Sequence, residues 1–190
     1  DFAAELAAYC ETYGLDGVCF DDEYSTSPDL SNPWFTQWSY DAAARLCYET
    51  KKAMPDKTVM VYYLGGINSW MPSVDGIEPG MFVDYAVADY GGTAAPMQGM
   101  TVKQCSGMSI ELNRGSGDSS ESTARSKKEA GYGYYMFFAL GHTTSLVNDF
   151  DDYRFQVGRC QSVARGLYDE ELLMPEYYYK KNDATRYKLP

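Results

Sequence analysis

The chain has 190 residues, a net charge of −11 and 45% hydrophobic residues, a size and composition that suit one soluble domain. The acidic excess argues against nucleic acid or an anionic membrane as partner, because both reward Lys/Arg patches, and no apolar run approaches the roughly 18 residues of a membrane span. The 18 tyrosines offer flat faces carrying a hydroxyl, which suits sugar stacking and equally suits an ordinary core.

In chain order, Phe2, Leu6, Cys10 and Tyr13 recur at helical spacing and predict an amphipathic helix over 2–13, with Gly14 as its C-terminal cap. Because the sequence opens inside that helix without an initiating Met, it is expected to start mid-protein, and the lack of a signal peptide carries no information. The next stretch runs from Leu15 to Tyr24, a short apolar run ending in Asp21, Asp22 and Glu23. Strand alternation puts Gly17, Cys19, Asp21 and Glu23 on one face and Val18, Phe20 and Asp22 on the other. Asp21 and Glu23 would then stand about 7 Å apart at the carboxyl end of a strand, where α/β folds place their active sites. A solvated acidic turn is the plain structural alternative.

Ser25 to Asn32 reads as loop, Trp38 to Lys52 as a helix that Met54-Pro55-Asp56 breaks, and Thr58 to Leu64 as a strand buried on both faces. Phe82 to Val87 and Met108 to Leu112 are two further strands, and most of the strands end in glycine-containing turns. A helix over about 121–130, a strand within 132–140 and a helix near 148–166 follow, and 174–190 is expected to be a polar, Tyr-rich extension after a domain of 1–173. The alternation predicts a parallel sheet in an α/β protein. Five strands can build a doubly wound sheet but cannot close a (β/α)8 barrel. Cys10, Cys19, Cys47, Cys105 and Cys160 are scattered without metal-ligand spacing and read as buried free thiols. With no phosphate-cradling glycine loop either, no metal and no cofactor is expected.

The segment Asp16-Gly17-Val18-Cys19-Phe20-Asp21-Asp22-Glu23 resembles the strand signature of glycoside hydrolase family eighteen, Asp-Gly-x-Asp-x-Asp-x-Glu. Tyr24, Met54-Pro55-Asp56-Lys57, Val83-Asp84-Tyr85-Ala86 and Val102-Lys103-Gln104-Cys105-Ser106 are similar to the endo-β-N-acetylglucosaminidases of the endoglycosidase H type. So are Ile110-Glu111-Leu112-Asn113-Arg114, Gly131-Tyr132-Gly133-Tyr134-Tyr135 and Arg165-Gly166-Leu167-Tyr168, all in the family's order. The resemblance implies a (β/α)8 TIM barrel of which this chain supplies about strands four to eight. The N-terminal β/α units, which would cover two open sheet edges, are expected elsewhere in the natural protein.

It further implies endo-acting hydrolysis of the GlcNAc-β-1,4-GlcNAc core of N-linked glycans, with retention and with the sugar's own 2-acetamido group as nucleophile. Glu23 would be the general acid and then base, its pKa raised by burial and by Asp21, and Asp21 would orient the acetamide. Tyr90 matches a tyrosine that donates to the acetamide oxygen. Tyr62, Tyr63, Trp70 and Phe138 are stacking candidates that core packing explains as well, and Glu111 would bind substrate or form a buried ion pair. Tyr62, Glu111 and Phe138 are taken as the substrate-binding set. Asp22 points away and His142 reads as a rim residue. The chain departs from the family at Cys19, which replaces the middle Asp, and at Ala88, Ala139 and Gly141. These departures support the alternative of a catalytically silent glycan-binding relative; a chitinase is the other. An N-glycan or glycoprotein is the implied partner, and a secreted, periplasmic or cell-surface location follows from the resemblance alone.

Overall fold

In a computed structural model of the chain, residues 2–26, 30–33, 39–140, 149–173, 176–179 and 184–188 are described. Helix α1 (Phe2–Tyr13) buries Ala3 and Cys10 and leads through Gly14 into strand β1 (Gly17–Asp21). Helix α2 (Tyr40–Ala53) starts at Ser39, whose Oγ accepts the Ala42 N–H, so its first residue follows a side-chain cap rather than the apolar pattern. It buries Ala43, Ala44, Cys47 and Thr50, a stripe at helical spacing. Strand β2 (Thr58–Tyr63) follows, then β3 (Tyr85–Ala88). The Phe82-Val83 run, predicted as strand, instead closes a 3-10 turn over Pro79–Met81, and its apolar side chains are buried there. Strand β4 (Ser106–Glu111), helix α3 (Glu121–Glu129), strand β5 (Tyr134–Phe138) and helix α4 (Asp149–Tyr168) complete the alternation.

Strands β1, β2 and β3 pair in parallel in sequence order, and β4 pairs in parallel with β5. A parallel bridge from Ala86 to Cys105 and the bond from Ala94 N–H to Ser106 O bring β3 and β4 side by side. The parallel α/β expectation is met. Among the described residues, the outer edges of β1 and β5 have no strand partner.

The sheet has two unlike faces. Val18, Phe20, Val59, Val61, Tyr63, Ala86 and Ala88 pack with Cys10, Ala43, Ala44 and Cys47 of the first two helices. Met108, Ile110, Leu112 and Tyr135 pack with Ala124 and Val163 of the last two. The opposite face carries Cys19, Asp21, Met60, Tyr62, Tyr85, Val87, Ser109, Glu111, Met136 and Phe138, aligned by the strand register. Apolar residues thus face the helices, while carboxylates, hydroxyls and aromatic rings line the other side. Asp84, just before β3, ties β2 to α2, pairing with Lys51 Nζ at 3.0 Å and accepting the Val59 N–H at 2.7 Å.

The expected polar extension contains a small antiparallel hairpin of β6 (Tyr177–Tyr179) and β7 (Arg186–Lys188). Tyrosine favours strands, and Arg186 lies over the Tyr177 ring at 3.9 Å, contacts that polarity alone does not announce. Cys10, Cys47 and Cys105 are buried free thiols as expected, but Cys19 is exposed because it lies on the face that no helix covers. Among the described residues, no helix is long and apolar enough to cross a membrane, and no group of three or more His, Cys, Asp or Glu is placed to hold a metal.

Candidate active site

The carboxyl ends of the strands bring the site together. Strand β1 stops at Asp21, and the Asp22 carboxylate turns the chain by accepting from the Ser25 N–H at 3.1 Å and from the Ser25 hydroxyl. Asp22 is therefore occupied in the turn, away from the open face. Glu23 lies inside this turn rather than on a continuing strand, so strand alternation does not by itself fix its direction. Asp21 and Glu23 are both exposed, and the described residues do not supply the burial expected around Glu23.

The next loop supports the turn from behind. Gly66 N–H donates to Asp22 O at 3.1 Å, and Gly65 sits at φ +60°. A Cβ at Gly65 would lie 2.5 Å from Asp22 O and 2.7 Å from Glu23 O. Gly65→Ala is expected to push the 22–23 backbone aside and to cost about 1–2 kcal/mol for the left-handed conformation. A fall in kcat/KM of at least about tenfold with a modest loss in thermal stability is the expected readout. Unchanged kinetics would show that this contact does not place Glu23.

Tyr90 stands at the centre of an aromatic cluster. Its ring lies 6.2 Å from that of Tyr62 and stacks on Phe138 at 5.4 Å with an interplanar angle of 29°. Phe138 pairs in register with Glu111. Desolvation first, then the carboxylates of Glu111, Asp89 and Glu23, push the Tyr90 phenol above its ordinary value, against a smaller opposing influence of the Tyr62 hydroxyl. The Tyr90 hydroxyl thus feels negative charge from two different strand ends, Glu23 after β1 and Glu111 on β4. Tyr90 therefore keeps its proton and has one hydroxyl hydrogen available to donate. Tyr62, buried and bonded to Asp89 Oδ1 at 2.6 Å, is likewise held protonated by desolvation and by that carboxylate.

Glu111 is 6% exposed, and its described partner is Arg114, 3.6 Å away on the surface. The loop after it is shaped from helix α4: Arg159 donates to the carbonyls of Gly115, Ser116 and Gly117 at 2.9, 2.8 and 2.6 Å. The exposed Cys19 shares the face of Asp21, two residues away, and its thiol is pushed up by loss of hydration and then by Asp21. It therefore stays neutral where the signature has a carboxylate. Ala88 is buried among the helix-side residues, so this departure does not reach the open face. Trp70 projects into solvent at 82% exposure on the loop after β2, while Tyr63 packs against the helix side and donates to Ala95 O at 2.9 Å. Ala139 follows β5 directly at φ +61°, and Gly141 and His142 lie outside the described residues.

Sequence reasoning missed Asp89, which accepts from Tyr62 and from the Tyr90 N–H. Its position beside Tyr90 after a strand was the available signal. A groove of about 450 Å³ between β5 and α4, lined by Tyr135, Phe137, Cys160, Val163 and Leu167, contains none of Asp21, Glu23 or Tyr90. It belongs to the helix side of the sheet.

The chain is 38% identical over 184 residues to endo-beta-N-acetylglucosaminidase F1 of Elizabethkingia meningoseptica, covering 95% of this chain and 52% of that protein. The resemblance to endo-β-N-acetylglucosaminidases is thereby established. An endo-beta-N-acetylglucosaminidase of Flavobacterium sp. (strain SK1022) is 30% identical over 142 residues, 74% of this chain and 44% of its own length. The chain thus spans about half the length of the curated relatives it matches. Among solved structures, Bacteroides thetaiotamicron EndoBT-3987 with Man5GlcNAc product superposes with a TM-score of 0.80 at 47% identity, over 99% of this chain and 42% of that one. The same enzyme in complex with Man9GlcNAc2Asn substrate gives a TM-score of 0.80 at 46% identity, over 99% and 45%. No family model matches the chain.

Proposed function

We propose that the protein carrying this chain is an endo-β-N-acetylglucosaminidase that cleaves the GlcNAc-β-1,4-GlcNAc core of N-linked glycans. The observation that carries this reading is the cluster at the carboxyl ends of the parallel strands, where Tyr90 lies beside Tyr62 and stacks on Phe138, the register partner of Glu111. Asp21 stands at the end of the strand leading to Glu23, and the likeness to endoglycosidases runs along nearly the whole chain. The five strands are read as part of a (β/α)8 barrel. Their sequential parallel order, helices on one face and unpaired outer edges on β1 and β5 support that architecture, with the closing strands supplied by polypeptide outside this sequence.

In this reading the 2-acetamido oxygen of the sugar attacks the anomeric carbon as the bond to the leaving oxygen breaks, and Glu23 gives its proton to that oxygen. Asp21 orients the acetamide N–H and balances the positive charge of the oxazolinium, and Tyr90 donates to the acetamide oxygen. Water then attacks the anomeric carbon, its proton passes to Glu23, and the acetamide is restored. Phe138 offers a stacking face, and the buried Glu111 accepts from sugar hydroxyls. An enzyme of this kind meets its substrate outside the cytoplasm, which is the location proposed for it.

Two displacements at one carbon retain configuration. Proton NMR during digestion of a high-mannose glycopeptide by the complete protein is expected to show the β-anomer of the new reducing end first, with the α-anomer growing in by mutarotation. Initial release of the α-anomer would overturn the acetamide mechanism. Binding with no release would favour the glycan-binding relative, and cleavage of chitin oligomers alone would favour the chitinase.

A further inference from the structure

We propose that Asp89 is a positioning residue that holds the Tyr62 hydroxyl and the backbone of Tyr90 in place; this rests on the reading of Tyr90 as the acetamide-binding tyrosine. One carboxylate oxygen, Asp89 Oδ1, accepts two short hydrogen bonds, from the Tyr62 hydroxyl at 2.6 Å and from the Tyr90 N–H at 2.7 Å. The first sets a side chain on β2, and the second sets the backbone that carries Tyr90. The same turn is pinned twice more, by Gly92 N–H to Asp89 O at 2.8 Å and by Gly91 N–H to Ser109 O at 2.8 Å. Gly92 has little room to change, since a Cβ there would lie 2.8 Å from Asp89 O. The Tyr90 ring is held from the sides by Tyr62 and Phe138.

A phenol has one hydrogen to donate. With the hydrogen of Tyr62 committed to Asp89, the Tyr62 oxygen offers only lone pairs to its neighbours. The Tyr62 ring, anchored in this way, lies 6.2 Å from that of Tyr90 and forms one side of its seat. An arriving acetamide oxygen meets a hydroxyl that is already protonated and already placed, with its one hydrogen to donate. Without an acceptor at position 89, the Tyr62 hydroxyl would lose its anchor. The backbone bond that sets the Tyr90 turn would also be lost. Asp89 touches no reacting atom in this scheme; it acts through Tyr90.

The test is a set of variants of the complete protein, Asp89→Leu, Asp89→Asn, Tyr90→Phe and the double variant Asp89→Leu/Tyr90→Phe, assayed on a high-mannose glycopeptide. Leucine keeps the approximate volume and removes the acceptor, and asparagine keeps an acceptor oxygen without the charge. Asp89→Leu is expected to lower kcat about 10- to 100-fold, with KM moving less than about threefold, as for loss of a transition-state hydrogen bond. Asp89→Asn is expected to stay within about threefold of the parent rate, because its oxygen can accept both bonds. The double variant is expected to be no slower than Tyr90→Phe, since Asp89 acts through the hydroxyl that is missing there. Multiplicative losses in the double variant, or an Asp89→Asn rate as low as that of Asp89→Leu, would overturn the proposal. A Tyr90→Phe enzyme that is impaired beside an unimpaired Asp89→Leu enzyme would sink the Asp89 role and leave the Tyr90 reading standing. A Tyr90→Phe enzyme at the parent rate would instead sink the Tyr90 reading itself.

Discussion

Glu23→Gln is expected to lower kcat for glycan release by about 10³-fold, within the range that a positioned acid–base group contributes. The substitution keeps the size and hydrogen-bonding ability of the side chain and removes the transferable proton. Glu23 lies in the turn after β1, held by the Asp22–Ser25 contacts on one side and by the close approach of Gly65 on the other. Neither support involves the Glu23 carboxyl, so the variant should fold as the parent does and KM should change little. In the proposed mechanism the acetamide is the nucleophile and Glu23 is the one group assigned to protonate the leaving oxygen, so its amide leaves that step without an acid. Release measured by chromatography of labelled glycan is the direct check, and a rate within about tenfold of the parent would remove Glu23 from the acid–base role.

Gly17→Ala is expected to be the most damaging substitution for stability in the first strand. A Cβ at Gly17 would stand 2.1 Å from the carbonyl oxygen of Thr58, its partner in the β1–β2 register. No side-chain rotation relieves a clash between a Cβ and backbone, so the two strands must part at their first pair. Overpacking of this kind costs about 1–3 kcal/mol, and the upper part of that range applies where backbone must move. Urea unfolding of the complete protein measures the loss. The same displacement runs four residues up the strand to Asp21, so activity should fall beyond what the unfolded fraction explains. A variant as stable as the parent would mean that this pair of strands tolerates a wider spacing than the register implies.

Much of this arrangement was legible in the residues. The apolar runs of β1, β2 and β4 and the helical stripes of α1 and α2 carry their own periodicity, and parity along the strands places Cys19 and Asp21 opposite Val18 and Phe20. The family match pointed to Tyr90 and Glu111, and Tyr62 and Phe138 stood out as aromatic stacking candidates; the structure places the three rings together, with Glu111 beside Phe138 in the strand register. What the sequence did not disclose depends on contacts between distant residues. The Phe82-Val83 run looks like strand, yet a proline and a glycine before it form a turn, and Gly80 packs against the backbone of Gly99. The Asp89 bond to Tyr62 spans 27 residues and has no periodic signature. The exposure of Glu23 could not be read either, because burial at a strand end depends on which loops fold over it. The 177–188 hairpin was hidden by its polar composition, since its pairing is set by cross-strand contacts rather than by an apolar face.

The departures from the family pattern acquire unequal weight. Cys19 lies on the face of Asp21 and removes a charge there, whereas Ala88 is turned toward the helices and leaves the open face unaltered. The chemistry assigned to Asp21, Glu23 and Tyr90 therefore meets one altered neighbour in the strand that carries Asp21.

Mass spectrometry of a high-mannose glycoprotein before and after incubation with the complete protein tests the central claim most directly. Endo-cleavage within the core predicts that each processed asparagine keeps a single N-acetylglucosamine while the rest of the glycan is released carrying the other. Loss of the whole glycan, stepwise trimming from its outer ends, or an unchanged glycoprotein would contradict it.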